Sequence, residues 1–277
     1  MIGPVIEFIR HRFGYQFPRV GPLGFRLFKS LAPATLNSEL FPGIRVPLNL
    51  KDSAQLSTYW SGYRFEYPTP QILIDWCEGA EAFFDIGANY GFYSYMLYHR
   101  CPRLDIHAFE PNPVTFRTLE AARDQNNLHR LHLHPIGLSS VADTLDLHPG
   151  SFDLGATTFG PHPDYLHNTI AKVAVKPFDL FCAEQNLAWP SCPAWVAKID
   201  VEGFDFKVLQ GMQHALQARA FKGISVEMNE FNLAFCQATT RDIRDYLARF
   251  GYATAFPPFT AFPGKVTTDN EFFVPVP

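Results

Sequence analysis

Residues 83–92 read Phe-Phe-Asp-Ile-Gly-Ala-Asn-Tyr-Gly-Phe, an apolar run that ends in an acid and continues as a glycine-rich turn. This pattern predicts a buried strand that stops at a tight loop, with a helix beginning near Phe92. Gly87 and Gly91 can adopt a positive φ at little cost, and small residues let a backbone approach a ligand closely. Because α/β proteins bind nucleotide-like ligands at such junctions, the segment constrains both fold and function.

Strands and helices alternate on both sides of this loop. The pattern predicts strands at 82–86, 105–109, 131–136, 194–199 and 223–228, and helices at 71–77, 92–98, 114–126, 204–217 and 240–250. Two further segments, 252–256 and 272–276, fit a closing antiparallel pair. Alternation of this kind predicts an α/β fold with a mostly parallel sheet and helices on both faces.

The length of 277 residues fits one large domain or two small ones. We expect an N-terminal helical or irregular extension over 1–70, packed on a main domain over 71–277. Prolines and glycines crowd residues 14–47, which favours short helices and loops there. The first 30 residues are basic and aromatic, so they either pack on the main domain or contact an anionic membrane surface.

The alternation breaks at about 141–180. Short predicted strands at 144–147 and 172–175 flank a polar segment that contains His162 and His167. This break predicts an inserted hairpin or flap. The two histidines are either bases on a lid or merely exposed side chains.

Composition excludes several classes of protein. The formal net charge is -4 and Lys and Arg form no long runs, so nothing favours nucleic acid as a partner. Five cysteines without a C-x-x-C pair argue against a disulfide framework and a cysteine-only zinc site, and they fit a reducing cytoplasm. Glu7 interrupts the first apolar run, unlike a secretory signal, and no stretch reaches the roughly 18 apolar residues that span a bilayer.

A second acid, Glu110, follows the next predicted strand, 19 residues after Gly91. A carboxylate at this position can accept the hydroxyl protons of a ribose, and a solvated strand-end acid is the alternative. A dinucleotide is a poorer fit, because aligning G-x-G-x-x-G on Gly87 places Asn89 and Phe92 where glycines belong. A ligand with a ribose but no diphosphate fits better, and S-adenosylmethionine is the common one.

A third motif, Lys-Ile-Asp-Val-Glu-Gly at 198–203, ends a predicted strand and is followed by Val-Leu-Gln-Gly at 208–211. Two motifs precede it, Asp-Ile-Gly-Ala-Asn-Tyr-Gly at 85–91 and Phe-Glu-Pro-Asn at 109–112. The Val-Glu strand end at 226–227 follows it. From about residue 40 to 230 the chain resembles the FkbM family of S-adenosylmethionine-dependent methyltransferases.

The resemblance implies a class I methyltransferase (Rossmann-like) fold, with a seven-stranded, mostly parallel sheet whose last strand is antiparallel. It implies that the loop after the first main strand holds the methionine part of S-adenosylmethionine, that Glu110 with Pro111 holds the ribose, and that the residues after the third strand lie beside the adenine. The loop residues are Asp85, Gly87, Ala88, Asn89 and Gly91, and those beside the adenine are Gly137, Leu138 and Ser139.

The reaction that the resemblance implies is O-methylation of a hydroxyl on a sugar, a glycolipid or a secondary metabolite. The acceptor is then a small molecule or glycan. Two alternatives stay open: a cofactor-binding scaffold of the same fold without transfer activity, and a nicotinamide-dependent oxidoreductase, which the glycine spacing disfavours.

Asp200 and Glu202 are the candidate catalytic residues, and Asp200 is also a candidate cofactor contact. A sugar hydroxyl must lose its proton during methylation, and a carboxylate can take it. The alternative is that Glu202 caps the following helix while Asp200 bonds the loop. We expect Lys198 to pair with Glu227 as a structural ion pair. No histidine spacing supports a metal, so none is predicted.

Overall fold

The computed structural model describes residues 30, 32–149, 157–159, 169–256 and 270–276. Its strands are β1 (Leu36–Phe41), β2 (Ile44–Leu48), β3 (Ala82–Ile86), β4 (Asp105–Phe109), β5 (Leu131–His134), β6 (Gly137–Leu138), β7 (Asp143–Pro149), β8 (Thr157–Thr158), β9 (Ala171–Lys176), β10 (Trp195–Ile199), β11 (Phe221–Glu227), β12 (Tyr252–Thr254) and β13 (Asn270–Pro275). Its helices are α1 (Ser53–Ser61), α2 (Thr69–Cys77), α3 (Phe92–Arg100), α4 (Pro113–Gln125), α5 (Phe178–Glu184), α6 (Asp205–Gln210), α7 (Gln213–Gln217), α8 (Glu230–Phe235) and α9 (Thr240–Arg249).

The main sheet has seven strands in the order β12, β13, β11, β10, β3, β4, β5. The five strands from β11 to β5 are parallel, whereas β13 is antiparallel to both β11 and β12. All residues of β3 and β10 are buried, as a parallel sheet covered on both faces requires. The predicted α/β fold and its closing antiparallel pair are confirmed.

The N-terminal segment contains a β-hairpin that the sequence pattern did not predict. β1 and β2 pair antiparallel, and the side chains of β2 alternate between buried and exposed from Ile44 to Val46. This period of two was the available signal, but the surrounding prolines and glycines obscured it. The ring of Phe41 packs 5.7 Å from that of Phe92, so the hairpin shares a core with the main sheet. The domain boundary at residue 70 stays a prediction.

The predicted insertion is a small sheet beside the main one. β7 pairs antiparallel with β9, which confirms the two strands expected there, and the sheet has the order β6, β9, β7, β8. His162 and His167 lie outside the described residues.

The helix predicted over 204–217 is in fact two helices, α6 and α7. The side chain of Asp179, on α5, accepts hydrogen bonds from the backbone N–H groups of His214 and Ala215 at 2.7 and 3.1 Å. These are N–H groups of the first turn of α7, so Asp179 starts a new helix instead of letting α6 continue. α5 and α8 were not predicted from the sequence.

All five cysteines are free thiols. Among the helices in the described part of the chain, none combines the length and the apolar composition that crossing a bilayer demands.

Candidate active site

A cleft opens at the carboxyl ends of the parallel strands, where α/β sheets bind their ligands. Three groups of residues line it, from the strand ends, from the turn after β5, and from the N-terminal and inserted segments. They are Gly87, Ala88, Asn89, Tyr90, Glu110, Pro111, Lys198, Asp200, Val201, Glu202 and Glu227; Ile136, Gly137 and Leu138; and Ala54, Phe65, Glu66, Thr157 and Phe159. The cleft therefore brings together most of the residues predicted from sequence.

The glycine loop after β3 has the predicted backbone conformation. Gly87 and Gly91 have φ values of +85° and +90°. A Cβ atom at Gly87 would collide with the backbone oxygen of Asp200, and one at Gly91 would lie 2.5 Å from the side chain of Leu119. The positive φ expected from the sequence is confirmed, and contacts with neighbouring protein atoms add a second requirement for glycine at these positions.

Three predicted cofactor contacts do not line the cleft: Asp85, Gly91 and Ser139. Asp85 is buried and accepts a hydrogen bond of 2.6 Å from the hydroxyl of Ser94, and its burial raises its pKa. It fastens α3 to the end of β3. Ser139 is buried as well, and its N–H donates to the carbonyl of Lys176 at 3.0 Å. Asp85 therefore supports the loop after β3 through its side chain, whereas Ser139 is held through its backbone.

Glu110 holds two loops of the cleft together. One carboxylate oxygen accepts from the N–H of Asn89 and the other from the N–H of Asn112, each at 2.8 Å. Burial raises the pKa of Glu110 to about 7, although the two amides oppose that rise. Each oxygen keeps a second lone pair, so Glu110 can still accept hydroxyl protons from a ligand.

Lys198 pairs with Asp200, and the predicted pairing with Glu227 is wrong. The distance from Lys198 Nζ to Asp200 Oδ2 is 2.6 Å, and Nζ also lies 4.7 Å from the ring centroid of Tyr93. Burial alone would lower the pKa of Lys198, but the carboxylates of Asp200 and Glu66 outweigh burial and raise it. Residues two apart on a strand share a face, which brings this pair together.

Glu202 sits in a strained loop. Its φ is +54°, a conformation that costs energy for a residue with a Cβ atom. Its side chain accepts a hydrogen bond of 2.8 Å from Asn232, and it does not cap α6. No side chain caps α6; Asp205, its first residue, instead accepts from the N–H groups of Val201 and Gly203 in the preceding loop at 3.2 and 3.0 Å. The capping alternative for Glu202 is therefore wrong.

The electrostatics of this loop favour protonated acids. Burial raises the pKa of Glu202 to about 7, and the neighbouring carboxylates of Asp200 and Asp205 add to the rise. The pKa of Glu227 is raised as well, first by burial and then by the neighbouring carboxylates, Asp200 among them. The Oε2 atom of Glu227 is buried and has no hydrogen-bond partner among the described residues.

Three further residues of the site were missed from the sequence. Thr158, on the inserted sheet, donates to the backbone carbonyl of Glu202 at 3.0 Å. Glu66 lines the cleft and accepts a hydrogen bond of 2.6 Å from the hydroxyl of Tyr93. Asn232 comes from α8. All three reach the site through tertiary contacts, so no local sequence pattern indicates them.

The residues of the cleft fit a cofactor with a ribose and no diphosphate. A carboxylate stands at the end of β4, beside the loop after β3, as ribose binding requires. The side-chain oxygen of Asn89 is buried and has no hydrogen-bond partner in the described part of the chain, so it can accept from a donor on a ligand.

The sheet order, with its antiparallel β13 and its cleft at the strand ends, defines a protein of the class I methyltransferase fold. A model of the methyltransferase FkbM domain matches residues 85–253. The chain belongs to the FkbM methyltransferase family.

Two relatives of low sequence identity also match part of the chain. The chain is 28% identical over 163 residues to the hexuronic acid methyltransferase AglP of Haloferax volcanii, covering 57% of this chain and 61% of that protein. It is 30% identical over 171 residues to methyltransferase 1 of Beauveria bassiana, covering 53% and 67%. The chain thus spans about two thirds or less of these relatives.

Two of the solved structures that align with the chain are methyltransferases by name. The precorrin-6y C5,15-methyltransferase of Geobacter metallireducens aligns with a TM-score of 0.39 at 12% identity, over 74% of this chain and 83% of that one. An S-adenosylmethionine-dependent methyltransferase of Agrobacterium tumefaciens aligns with a TM-score of 0.43 at 7% identity, over 87% and 70%.

Proposed function

We propose that this chain is an S-adenosylmethionine-dependent methyltransferase that O-methylates a hydroxyl on a sugar or on a sugar-containing lipid or metabolite. The observation that carries the proposal is the position of Glu110, whose two oxygens hold the loops at 89 and 112 while the carboxylate lines the cleft. Family membership supports the same function.

The loop from Gly87 to Gly91 would hold the methionine part of the cofactor. Glu110, with Pro111 beside it, would accept the ribose hydroxyl protons, and Gly137 and Leu138 would lie against the adenine. When bound, S-adenosylmethionine supplies a methyl group on a positively charged sulfur. The chain's contribution is mainly alignment of the reacting groups and exclusion of water.

An acceptor hydroxyl must lose its proton as its oxygen gains the methyl group. Glu202 is the proposed base, because a pKa of about 7 leaves a useful ionised fraction near neutral pH and the acid lines the cleft. Asp200 is already held by Lys198 at 2.6 Å, so its proposed role is to position and balance charge. Strain in the loop of Glu202 is typical of residues fixed for function.

A saccharide acceptor is supported by the printed name of the relative from Haloferax volcanii. A cytoplasmic location is proposed on the free cysteines. The proposed membrane contact of the basic N-terminus concerns residues outside the described part of the chain.

Titration calorimetry tests the cofactor assignment. We expect S-adenosylmethionine and S-adenosylhomocysteine to bind with dissociation constants on the order of micromolar, and NAD to give no heat and no competition. Absence of heat and of competition for both adenosyl compounds would contradict the proposal. Binding of NAD in their place would favour the oxidoreductase alternative.

A further inference from the structure

The order of the strands divides the cleft into two sides. β4 and β5 lie on one side of β3, and β10 and β11 lie on the other. If Glu110, at the end of β4, takes the ribose, the ends of β10 and β11 remain for the acceptor. Three acids line this second side, and we call them the acceptor-side carboxylates: Asp200, Glu202 and Glu227.

No free cation faces these carboxylates among the described residues that line the cleft. Lys198 is the one basic side chain in that set, and it lies 2.6 Å from Asp200. Its side chain is 3% exposed, so it has little freedom to leave Asp200 and meet a new anion. Among the described residues that line the cleft, an acceptor carboxylate would meet like charges and no free counter-ion, which costs binding energy.

The environment of Glu227 indicates which kind of ligand group this side of the cleft would bind. Its Oε2 atom is buried without a hydrogen-bond partner in the described part of the chain, and the residue lines the cleft. A lone carboxylate oxygen needs a donor, which a hydroxyl or an ammonium group supplies and an ionised carboxylate does not. Neighbouring carboxylates add to the effect of burial in raising the pKa values of Glu202 and Glu227, and a further anion would add to this mutual repulsion.

We propose that the acceptor is uncharged or cationic where it meets the acceptor-side carboxylates: a neutral sugar or an amino sugar, rather than a hexuronic acid. This inference rests on the proposed methyltransferase function. It assigns Glu227 a contact with an acceptor hydroxyl or ammonium group, whereas the sequence suggested only a structural ion pair for this residue.

The experiment uses the full chain, saturated with S-adenosylhomocysteine, and three probes that differ in one group. The probes are methyl glucoside, methyl glucosaminide and methyl glucuronide, and saturation-transfer NMR at pH 7.5 measures their binding up to about 10 mM. We expect the first two to bind, and the glucuronide to bind at least about 10-fold more weakly.

Glu227→Gln provides the second arm, because it keeps the size of the side chain and removes its charge. We expect the preference against the glucuronide to shrink several-fold in this variant. Glu120→Gln, on the exposed face of α4, is the matched control and should leave the preference unchanged. If Glu227→Gln does not fold by circular dichroism, the wild-type panel alone decides the question.

Two results would overturn the inference. One is glucuronide binding as tight as, or tighter than, that of the glucoside. The other is binding of none of the three probes at about 10 mM, because a subsite for sugar hydroxyls should accept a simple glycoside at that concentration. Failure of the proposed function itself is seen separately, as failure of S-adenosylhomocysteine to bind.

Discussion

Two clusters of titratable groups in the described part of the chain differ in what surrounds them. The acceptor-side carboxylates line the cleft, and Glu227 among them keeps an oxygen without a partner in the described residues. The second cluster, which we call the imidazole stack, consists of His107, His132 and His134 on β4 and β5, and none of its members lines that cleft.

Packing accounts for the imidazole stack. The ring of His107 stacks between those of Phe84 and His132, at centroid distances of 5.2 and 4.9 Å across neighbouring strands. Its Nδ1 atom lies 3.2 Å from Nε2 of His134, so one neutral ring donates to the other. Burial lowers the pKa of His107 to about 4 and that of His134 to about 3.

The comparison shows that a shifted pKa does not by itself mark an active site. Both clusters have shifts caused first by burial, and each shift favours the neutral form. Access to the cleft, strain at Glu202 and an unsatisfied oxygen at Glu227 distinguish the carboxylates. We therefore expect changes in the carboxylates to affect chemistry, and changes in the imidazole stack to affect stability.

The largest expected effect is that of Glu202→Gln. Loss of the proposed base should lower kcat about 10³-fold for the best acceptor of a glycoside panel, while the affinity for S-adenosylmethionine stays within about 3-fold. Steady-state kinetics and calorimetry measure the two quantities. Turnover close to that of the wild type would show that Glu202 is not the base.

The pH dependence of kcat in the wild type is a second test of Glu202 as the base. Glu202 accepts a proton only when ionised, so kcat should fall about tenfold per pH unit below its pKa of about 7 and level off above it. In Glu202→Gln this dependence should disappear. A wild-type profile that is flat from pH 5.5 to about pH 8 would count against an acid with a raised pKa in the reaction.

Glu110→Ala should weaken cofactor binding about 100-fold. The change removes two hydrogen bonds from ribose hydroxyls to a charged acceptor, each worth about 1.5 kcal/mol. It also frees the N–H groups of Asn89 and Asn112, so circular dichroism should accompany the calorimetry. An affinity within about 3-fold of the wild type in a folded variant would exclude Glu110 as the ribose ligand.

The smallest effect is expected from His107→Phe, which should leave turnover unchanged and alter the pH dependence of stability. His107 has a lowered folded pKa, so its contribution to stability is present above about pH 6.5 and is lost as the pH falls toward 4. Between pH 7 and 5 the variant should lose about 2 kcal/mol less of its unfolding free energy than the wild type. Urea unfolding at the two pH values measures the difference, and an equal loss in both proteins would contradict this interpretation of the stack.

Much of the fold was predictable because local patterns decide it. The strands at Ala82–Ile86 and Asp105–Phe109 were predicted to the residue, since each is a short apolar run bounded by turn signals. The break between α6 and α7 was not, because Asp179 causes it from another helix. The hairpin β1–β2 was hidden by the prolines and glycines around it.

In the candidate site too, local patterns predicted some residues, and tertiary contacts place the others. Glu110, Asp200 and Glu202 stand at strand ends, where the order of motifs along the chain places them in one cleft. Asn232 and Thr158 donate hydrogen bonds to Glu202 from segments 30 and 44 residues away, and no local sequence pattern predicts such contacts. Asp85 belongs to the motif but lies behind the loop, which only its bond with Ser94 reveals.

The central claim is that the carboxylate of Glu110 receives the ribose hydroxyls of an adenosyl cofactor. A thermodynamic cycle tests it most directly, using S-adenosylhomocysteine and its 2′,3′-dideoxy analogue with the wild type and Glu110→Ala. The account predicts that removing the hydroxyls weakens binding about 100-fold in the wild type and less than about 3-fold in the variant. An equal loss in both proteins would contradict it.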